Sequence, residues 1–264
     1  MKASLNYQAL KNGQPVSDAL VVEVPVQLFI EEEPLTVSMC TPTHIREWAF
    51  GILFTEGIIR SAEQVLSYSE EEVDHQITVR VSLSNAAHAV TNKRSLLSVS
   101  ACGICGKTAF EPATRSDDER SSMTLRDDRG ADDEQSSMTL GEGIAKMMVQ
   151  LRAVQRLFEE TGGCHAAGVF NKNQELLFAS EDIGRHNAVD KVVGSLVIHQ
   201  QLREAKYLMV SGRVSYEIVA KCFAAGIPNL AAVSSPSSLA VDFAKELGIS
   251  LFAFCRENRI TQYA

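Results

Sequence analysis

Apolar positions in LVVEVPVQLFIEEEPLTVSM, residues 20–39, follow strand spacing and predict a β-hairpin, with Pro25 near an edge and the acidic stretch 31–34 as its turn. The pattern then changes period. In TPTHIREWAFGILFTEGII, residues 41–59, Ile45, Trp48, Ile52 and Leu53 share one helical face, Thr41 or Thr43 can cap, and Pro42 suits a first turn. Trp48 on that stripe reads as core. HQITVRVSL, from His75, alternates as a strand, so the first hundred residues predict β structure on both sides of one helix.

From residue 142 the grammar is α/β. Residues 142–160 predict a helix with Ile144, Met147, Met148, Leu151, Val154, Leu157 and Phe158 on one side, ended by Gly162 and Gly163. The methionines belong to a core stripe. Strand, polar loop and helix then recur. LLFAS leads through EDIGR to a helix with Ala188, Val189, Val192, Val193, Leu196 and Val197 buried; YLMV leads through SGRVS to YEIVAKCFAAG; NLAAV leads through SSPSS to LAVDFAKELG; ISLFAF ends in CRENR. Alternation of this kind predicts a mostly parallel sheet with crossover helices. Between the two halves, DDERSSMTL at 117–125 recurs as DDEQSSMTL at 132–140, which reads as a duplicated, solvated, flexible loop. The expected units are therefore a small α+β part over 1–100, a loop segment over 101–141 and an α/β part over 142–264 that the N-terminal strands can complete.

Composition narrows the class. The chain has 264 residues, a net charge of −8 and 45% hydrophobic content, which argues for a soluble protein without broad affinity for nucleic acid or anionic membrane. No apolar run suggests a leader or a membrane span, so a cytoplasmic protein is expected. Six scattered cysteines do not make a disulfide framework.

Ligands of such sheets sit beyond the carboxyl ends of the strands. There the chain places Glu181, Asp182, Arg185, His186 and Asn187; Ser211, Arg213 and Ser215; Ser234, Ser235, Ser237 and Ser238; and Arg256, Asn258 and Arg259. Taken singly, the serines and Asp182 are N-caps and the arginines solubilising groups. Four loops of one character at one sheet edge point instead to an anion pocket built from arginines, hydroxyls and helix N-termini, suited to a phosphate or pyrophosphate. His165 and His186, each beside glycines at a turn, are candidates to face that cleft. Cys222 falls on a helix stripe as inert core, and Cys164 and Cys255 sit at element ends.

SVSACGICGK sets Cys102 and Cys105 two residues apart among glycines. A structural zinc site needs a second ligand pair, which the spacing of His44, His75, His88 and His199 does not supply. A zinc deaminase carries HxE upstream of its cysteine pair, which is absent here. A thioredoxin-like pair opens a helix, and no helical stripe follows this one. A glycine-punctuated dithiol with Lys107 nearby suits a thiolate that carries sulfur; a dithiol redox couple and a cofactor-binding chaperone with secondary cysteines stay open on the residues alone.

The chain resembles the FdhD family, the formate dehydrogenase accessory sulfurtransferases. The resemblance is carried by EVPVQLFI at 23–30, TPTHIREWAFGILFTEGII at 41–59, SACGICGK at 100–107, TGGCHAAGVF at 161–170, EDIGRHNAVDKVVG at 181–194, SGRVSYEIVAKCFAAGIPNLAAVSSPSSLAV at 211–241 and FCRENR at 254–259. It implies a cytidine deaminase-like α/β layer without the deaminase zinc, preceded by a smaller α+β part, and a homodimer. It also implies that sulfane sulfur passes from a cysteine desulfurase to the molybdenum cofactor bearing two pterin guanine dinucleotides, which then enters formate dehydrogenase. Cys102 would carry the persulfide and Cys105 would be its partner. Phe254, Cys255, Arg256, Glu257, Asn258 and Arg259 would bind the cofactor, joined by Arg185, His186, Ser211, Arg213 and Ser235 from the strand-end map. No resident metal is expected.

Overall fold

A computed structural model describes residues 1–84, 133–256 and 259–264, with side chains from Leu140 onward in the second of these segments. The first element is one the sequence pattern did not announce. β1 (Ser4–Lys11) and β2 (Gln14–Val21) form an antiparallel ribbon around a turn in which Asn12 and Gly13 both have positive φ, as a tight hairpin requires. Its side chains are largely exposed, so it lacks the buried face on which periodicity reading depends.

The expected hairpin follows as β3 (Val24–Ile30) and β4 (Glu33–Cys40), and β5 (Val65–Val73) and β6 (Gln76–Leu83) complete a four-stranded sheet in the order β4-β3-β6-β5. β3 is an inner strand, not an edge. Pro25 is tolerated there because it faces only Met39 of β4, and the pairing with β6 begins one residue later at Val26 and Ile77. The helix between these strands, α1 (Ile45–Thr55), buries Ile45, Trp48 and Leu53 as expected. Its cap differs from expectation. The N-cap is His44 in a left-handed conformation, without a side-chain cap bond, because Thr41 is committed elsewhere.

The stretch predicted as one helix over 142–160 is two. α2 (Asp133–Val154) starts within the second copy of the duplicated segment, which is therefore helical rather than a loop; the first copy lies outside the described residues. Gln155 breaks the run, and α3 (Arg156–Thr161) ends on Gly162 in the left-handed conformation. Val154, placed on the core stripe by periodicity, is 41% exposed because the break turns it outward.

β7 (His165–Phe170), β8 (Leu176–Asp182), α4 (Arg185–Ile198), β9 (Tyr207–Val210), α5 (Tyr216–Ala224), β10 (Asn229–Ala232), α6 (Ser238–Leu247), β11 (Ser250–Arg256) and β12 (Arg259–Gln262) follow. The six strands line up as β12-β11-β10-β9-β7-β8. The sheet is mixed rather than mostly parallel: only β9, β10 and β11 run parallel as neighbours. The turn over 171–175 is too short for a crossover, so β7 and β8 form a hairpin, and β7 runs against both neighbours. The start of β7 therefore joins the ends of β8, β9, β10 and β11 at one sheet edge.

Alternation sorts the sheet into two faces. Ala167, Val169, Leu208, Val210, Leu230, Ala232 and Leu251 join α4, α5, α6, α1 and the buried faces of β3 and β6 in one apolar cluster. Ala166, Phe170, Met209, Ala231 and Phe252 pack instead against Ile144, Met147, Met148 and Leu151 of α2. α4 is buried on every side from His186 to Val197. It meets α1 so closely that a Cβ at Gly194 would strike the Glu47 carbonyl, and one at Gly51 the Asp190 carbonyl.

Burial of α4 puts a lysine in the core. Lys191 is 0% exposed, and its Nζ donates to Asp182 Oδ2 at 2.6 Å and to the Thr41 carbonyl at 2.9 Å. Asp182 also accepts from the N–H groups of Thr41 and Gly184 and from Asn187 Nδ2. Removing one partner of such a pair strands the other without water. Lys191→Met should therefore lower unfolding free energy in urea by about 3–5 kcal/mol; a loss within 1 kcal/mol would show that the pair is dispensable.

Candidate functional site

At the shared edge a cleft of about 650 Å³ opens between the sheet and the α2–α3 corner. Its floor is made by His165 at the start of β7, Ser211 just past β9, Val233 just past β10, and Cys255 and Arg256 at the end of β11; Met148, Leu151 and Phe158 form apolar walls. A volume of this size suits a nucleotide-sized ligand.

Two of the floor groups have surroundings that set their chemistry. Ser211 donates its N–H to the Ala166 carbonyl at 2.9 Å, and its Oγ accepts the Ala166 N–H at 2.9 Å, which leaves the hydroxyl proton to donate into the cleft. Burial first, and the Arg185 guanidinium second, push the His165 imidazole below its ordinary pKa, so it is neutral at pH 7 and offers a lone pair. Arg185 lies beside it at the start of α4. Gly212 makes that approach possible: a Cβ there would sit 3.3 Å from both Arg185 Cβ and His165 Nδ1. Arg185 Nε is buried and has no partner among the described residues.

His186 does not face the cleft. It is buried on α4, with Nε2 2.9 Å from Glu217 Oε2 and 3.1 Å from Ser215 Oγ, and so it ties the first turn of α5 to α4. Arg213 is exposed beside this loop. Ser235 acts through its carbonyl, which accepts the Val214 N–H at 3.1 Å. Phe254 has φ 54° at an irregularity in the β11–β12 pairing, with its ring 6.4 Å from that of Tyr263 and the Arg259 guanidinium 5.5 Å above it. Cys102, Cys105, Glu257 and Asn258 lie outside the described residues. Of the residues singled out from sequence, the structure thus gathers His165, Ser211, Cys255 and Arg256 on the cleft with Arg185 beside it. It sets His186, Ser235, Phe254 and Arg259 apart from the lining.

Sequence reading missed the role of Glu181. Its carboxylate accepts the N–H groups of Leu157 and Phe158 at 2.8 Å each, capping α3 from another element, and accepts the Cys164 thiol at 3.3 Å. Its position just before Asp182 in EDIGR gave a polar strand end but no partner. Glu217 was visible only as part of SGRVSYE, and Gln155 was hidden within an apolar helical stripe. Among the described residues no cluster of His, Cys, Asp and Glu could hold a metal, and no helix is long and apolar enough to cross a membrane.

The architecture is that of a mixed α/β protein with a strand-end cleft and a second, four-stranded sheet. The FdhD/NarQ family profile matches residues 21–264, and the chain belongs to that family. It is 39% identical to the sulfur carrier protein FdhD of Mycolicibacterium paratuberculosis over 96% of this chain and 93% of that one. It is 37% identical to the protein of the same name from Sulfolobus acidocaldarius, again over 96% and 93%. In fold it matches the crystal structure of a formate dehydrogenase accessory protein from Desulfotalea psychrophila with a TM-score of 0.68, at 23% identity, over 98% and 95% of the two chains.

The four cysteines that the structure describes are all buried. Burial, then Glu181, pushes the Cys164 thiol up to about 12, and burial pushes Cys255 up to about 11; burial raises Cys40 and Cys222 as well. A thiol so raised is protonated at neutral pH and gains reactivity only as pH climbs toward its pKa. Iodoacetamide at pH 8 should alkylate these four in the native protein on the order of 100-fold more slowly than an unperturbed exposed thiol. Peptide mapping of a time course checks this, and rapid labelling of Cys164 or Cys255 would contradict it.

Proposed function

We propose that this protein is a sulfur carrier that accepts sulfane sulfur on Cys102 and delivers it to a molybdenum cofactor with pterin guanine dinucleotide arms, bound at the strand-end cleft. The observation that carries the reading is the state of the other thiols. Four of the six cysteines are buried and held protonated, which leaves the CxxC pair as the carrier in a family whose named members are sulfur carriers.

The chemistry asked of the pair is thiolate attack. The Cys102 thiolate attacks the terminal sulfur of a desulfurase persulfide, forming a new S–S bond while the desulfurase cysteine departs as a thiolate; Cys105 is the partner thiol. The cofactor is the recipient of that sulfur, and its pterin and nucleotide portions give the protein something to grip. The residues of the cleft suit the polar part of such a ligand. Arg256 offers a guanidinium, Ser211 a hydroxyl proton and His165 a neutral ring nitrogen, with Arg185 beside them, while Met148, Leu151 and Phe158 exclude water from one side. The same reading takes the protein to serve formate dehydrogenase in the cytoplasm, as a homodimer whose six-stranded layer is cytidine deaminase-like.

Incubating the protein with a cysteine desulfurase and cysteine, then mapping added sulfur by peptide mass, tests the carrier role. One sulfur should appear on the peptide containing Cys102 and disappear in Cys102→Ser; no addition at either Cys102 or Cys105 sinks the proposal.

A further inference from the structure

Behind Leu151 and Gln155, which also line the strand-end cleft, lies a second hollow. It is a groove of about 340 Å³ between α3, the outer strand β8 and the residues that lead into β1 and α1. The volume suits a small metabolite.

Apolar and charged surfaces meet in it. Val154, Leu157 and Ala179 line the groove, and the break between α2 and α3 leaves Val154 41% exposed. Arg156 and Glu160 line it too, one turn apart on α3. Opposite charges at that spacing ordinarily pair. These two make no ion pair with each other; Arg156 is exposed, and the Glu160 carboxylate accepts the Ser4 hydroxyl at 2.7 Å. A cation and an anion therefore stand on one groove without neutralising each other.

Gln155 adds the third polar group. It is only 7% exposed, yet its carboxamide makes no hydrogen bond among the described residues, which is unusual for a polar group so deeply placed. The cause is visible one strand away. An N-cap residue ordinarily turns its side chain back onto the first helical turn, but Glu181 of β8 already accepts the N–H groups of Leu157 and Phe158. Gln155 is left with a donor and an acceptor to offer beside the two charges.

We propose that this groove binds a free α-amino acid with an apolar side chain, held as its zwitterion. The carboxylate requires a cation and a neutral donor, which Arg156 and the Gln155 amide N–H provide; the ammonium requires an anion and a neutral acceptor, which Glu160 and the Gln155 carbonyl provide. The aliphatic side chain then covers Val154, Leu157 and Ala179 and removes their apolar surface from water. The inference is independent of the carrier reading, and its ligand is not that of the cleft.

Calorimetric titration of the full chain with L-leucine tests it, alongside isocaproate, which lacks the ammonium, and isopentylamine, which lacks the carboxylate. Leucine should bind, and each analogue should bind weaker by about ten-fold or more. Arg156→Gln and Glu160→Gln, both at exposed positions, should each weaken leucine about ten-fold while the urea midpoint stays at its wild-type value. Gln155→Met, which keeps the volume of the side chain, should weaken leucine as well. Saturating GDP should leave the leucine affinity unchanged. No saturable binding of leucine, either analogue binding as tightly as leucine, or wild-type affinity in Arg156→Gln would overturn the site. Displacement of leucine by GDP would move the ligand into the cleft and overturn it too.

Discussion

One buried ammonium ties the four-stranded sheet to the six-stranded one. Lys191 comes from the middle of α4, Asp182 from the end of β8, and Thr41 and Thr43 from the link between β4 and α1. A charge in that position is stable only while all its partners are present, so the N-terminal sheet and the α/β layer cannot separate without stranding it. Asn187 extends the constraint. It donates to Asp182 and to the Met39 carbonyl, and its Oδ1 accepts from Ser38 and from the Trp48 indole.

The cleft inherits its geometry from this knot. With Asp182 fixed, the preceding Glu181 is fixed, and its carboxylate sets the first turn of α3. With the following turn fixed by the Gly184 N–H bond to Asp182, Arg185 is delivered beside His165 and Gly212. EDIGRHNAVDK is thus one structural device, in which the acid at 182 and the lysine at 191 organise a core, while Glu181 sets α3 and Arg185 lies beside the cleft residue His165. The antiparallel β7 completes it by bringing Cys164 and His165 to the edge where β9, β10 and β11 end.

Much of this was legible in the sequence, and the failures have physical causes. The β3–β4 hairpin, α1 and the repeated strand-loop-helix units announced themselves because each buries a single face with a clear period. α4 was read as having one buried stripe, whereas it is buried all round; Asp190 and Lys191 disguised it, since charge usually marks a solvated face. The strand-end rule found Ser211, Arg185, Cys255 and Arg256 but also collected His186 and Ser235, whose partners are other loops. Gln155 was missed as a break inside an apolar helical stripe, and Glu181 because its role depends on contacts across 24 and 23 residues that no local pattern records. A polar residue four positions after Leu151, on an otherwise apolar face, was the one available signal.

Under the proposed function a single strand-end cleft, framed by the α2–α3 corner and the edge around β7 and β9, receives the nucleotide end of the ligand. Amide hydrogen exchange of the full chain with and without saturating GDP measures this directly. Protection should concentrate over 155–165 and 209–213 and leave the β1–β2 ribbon unchanged. Protection confined to the four-stranded sheet or the ribbon, or an exchange pattern indifferent to GDP, would contradict it.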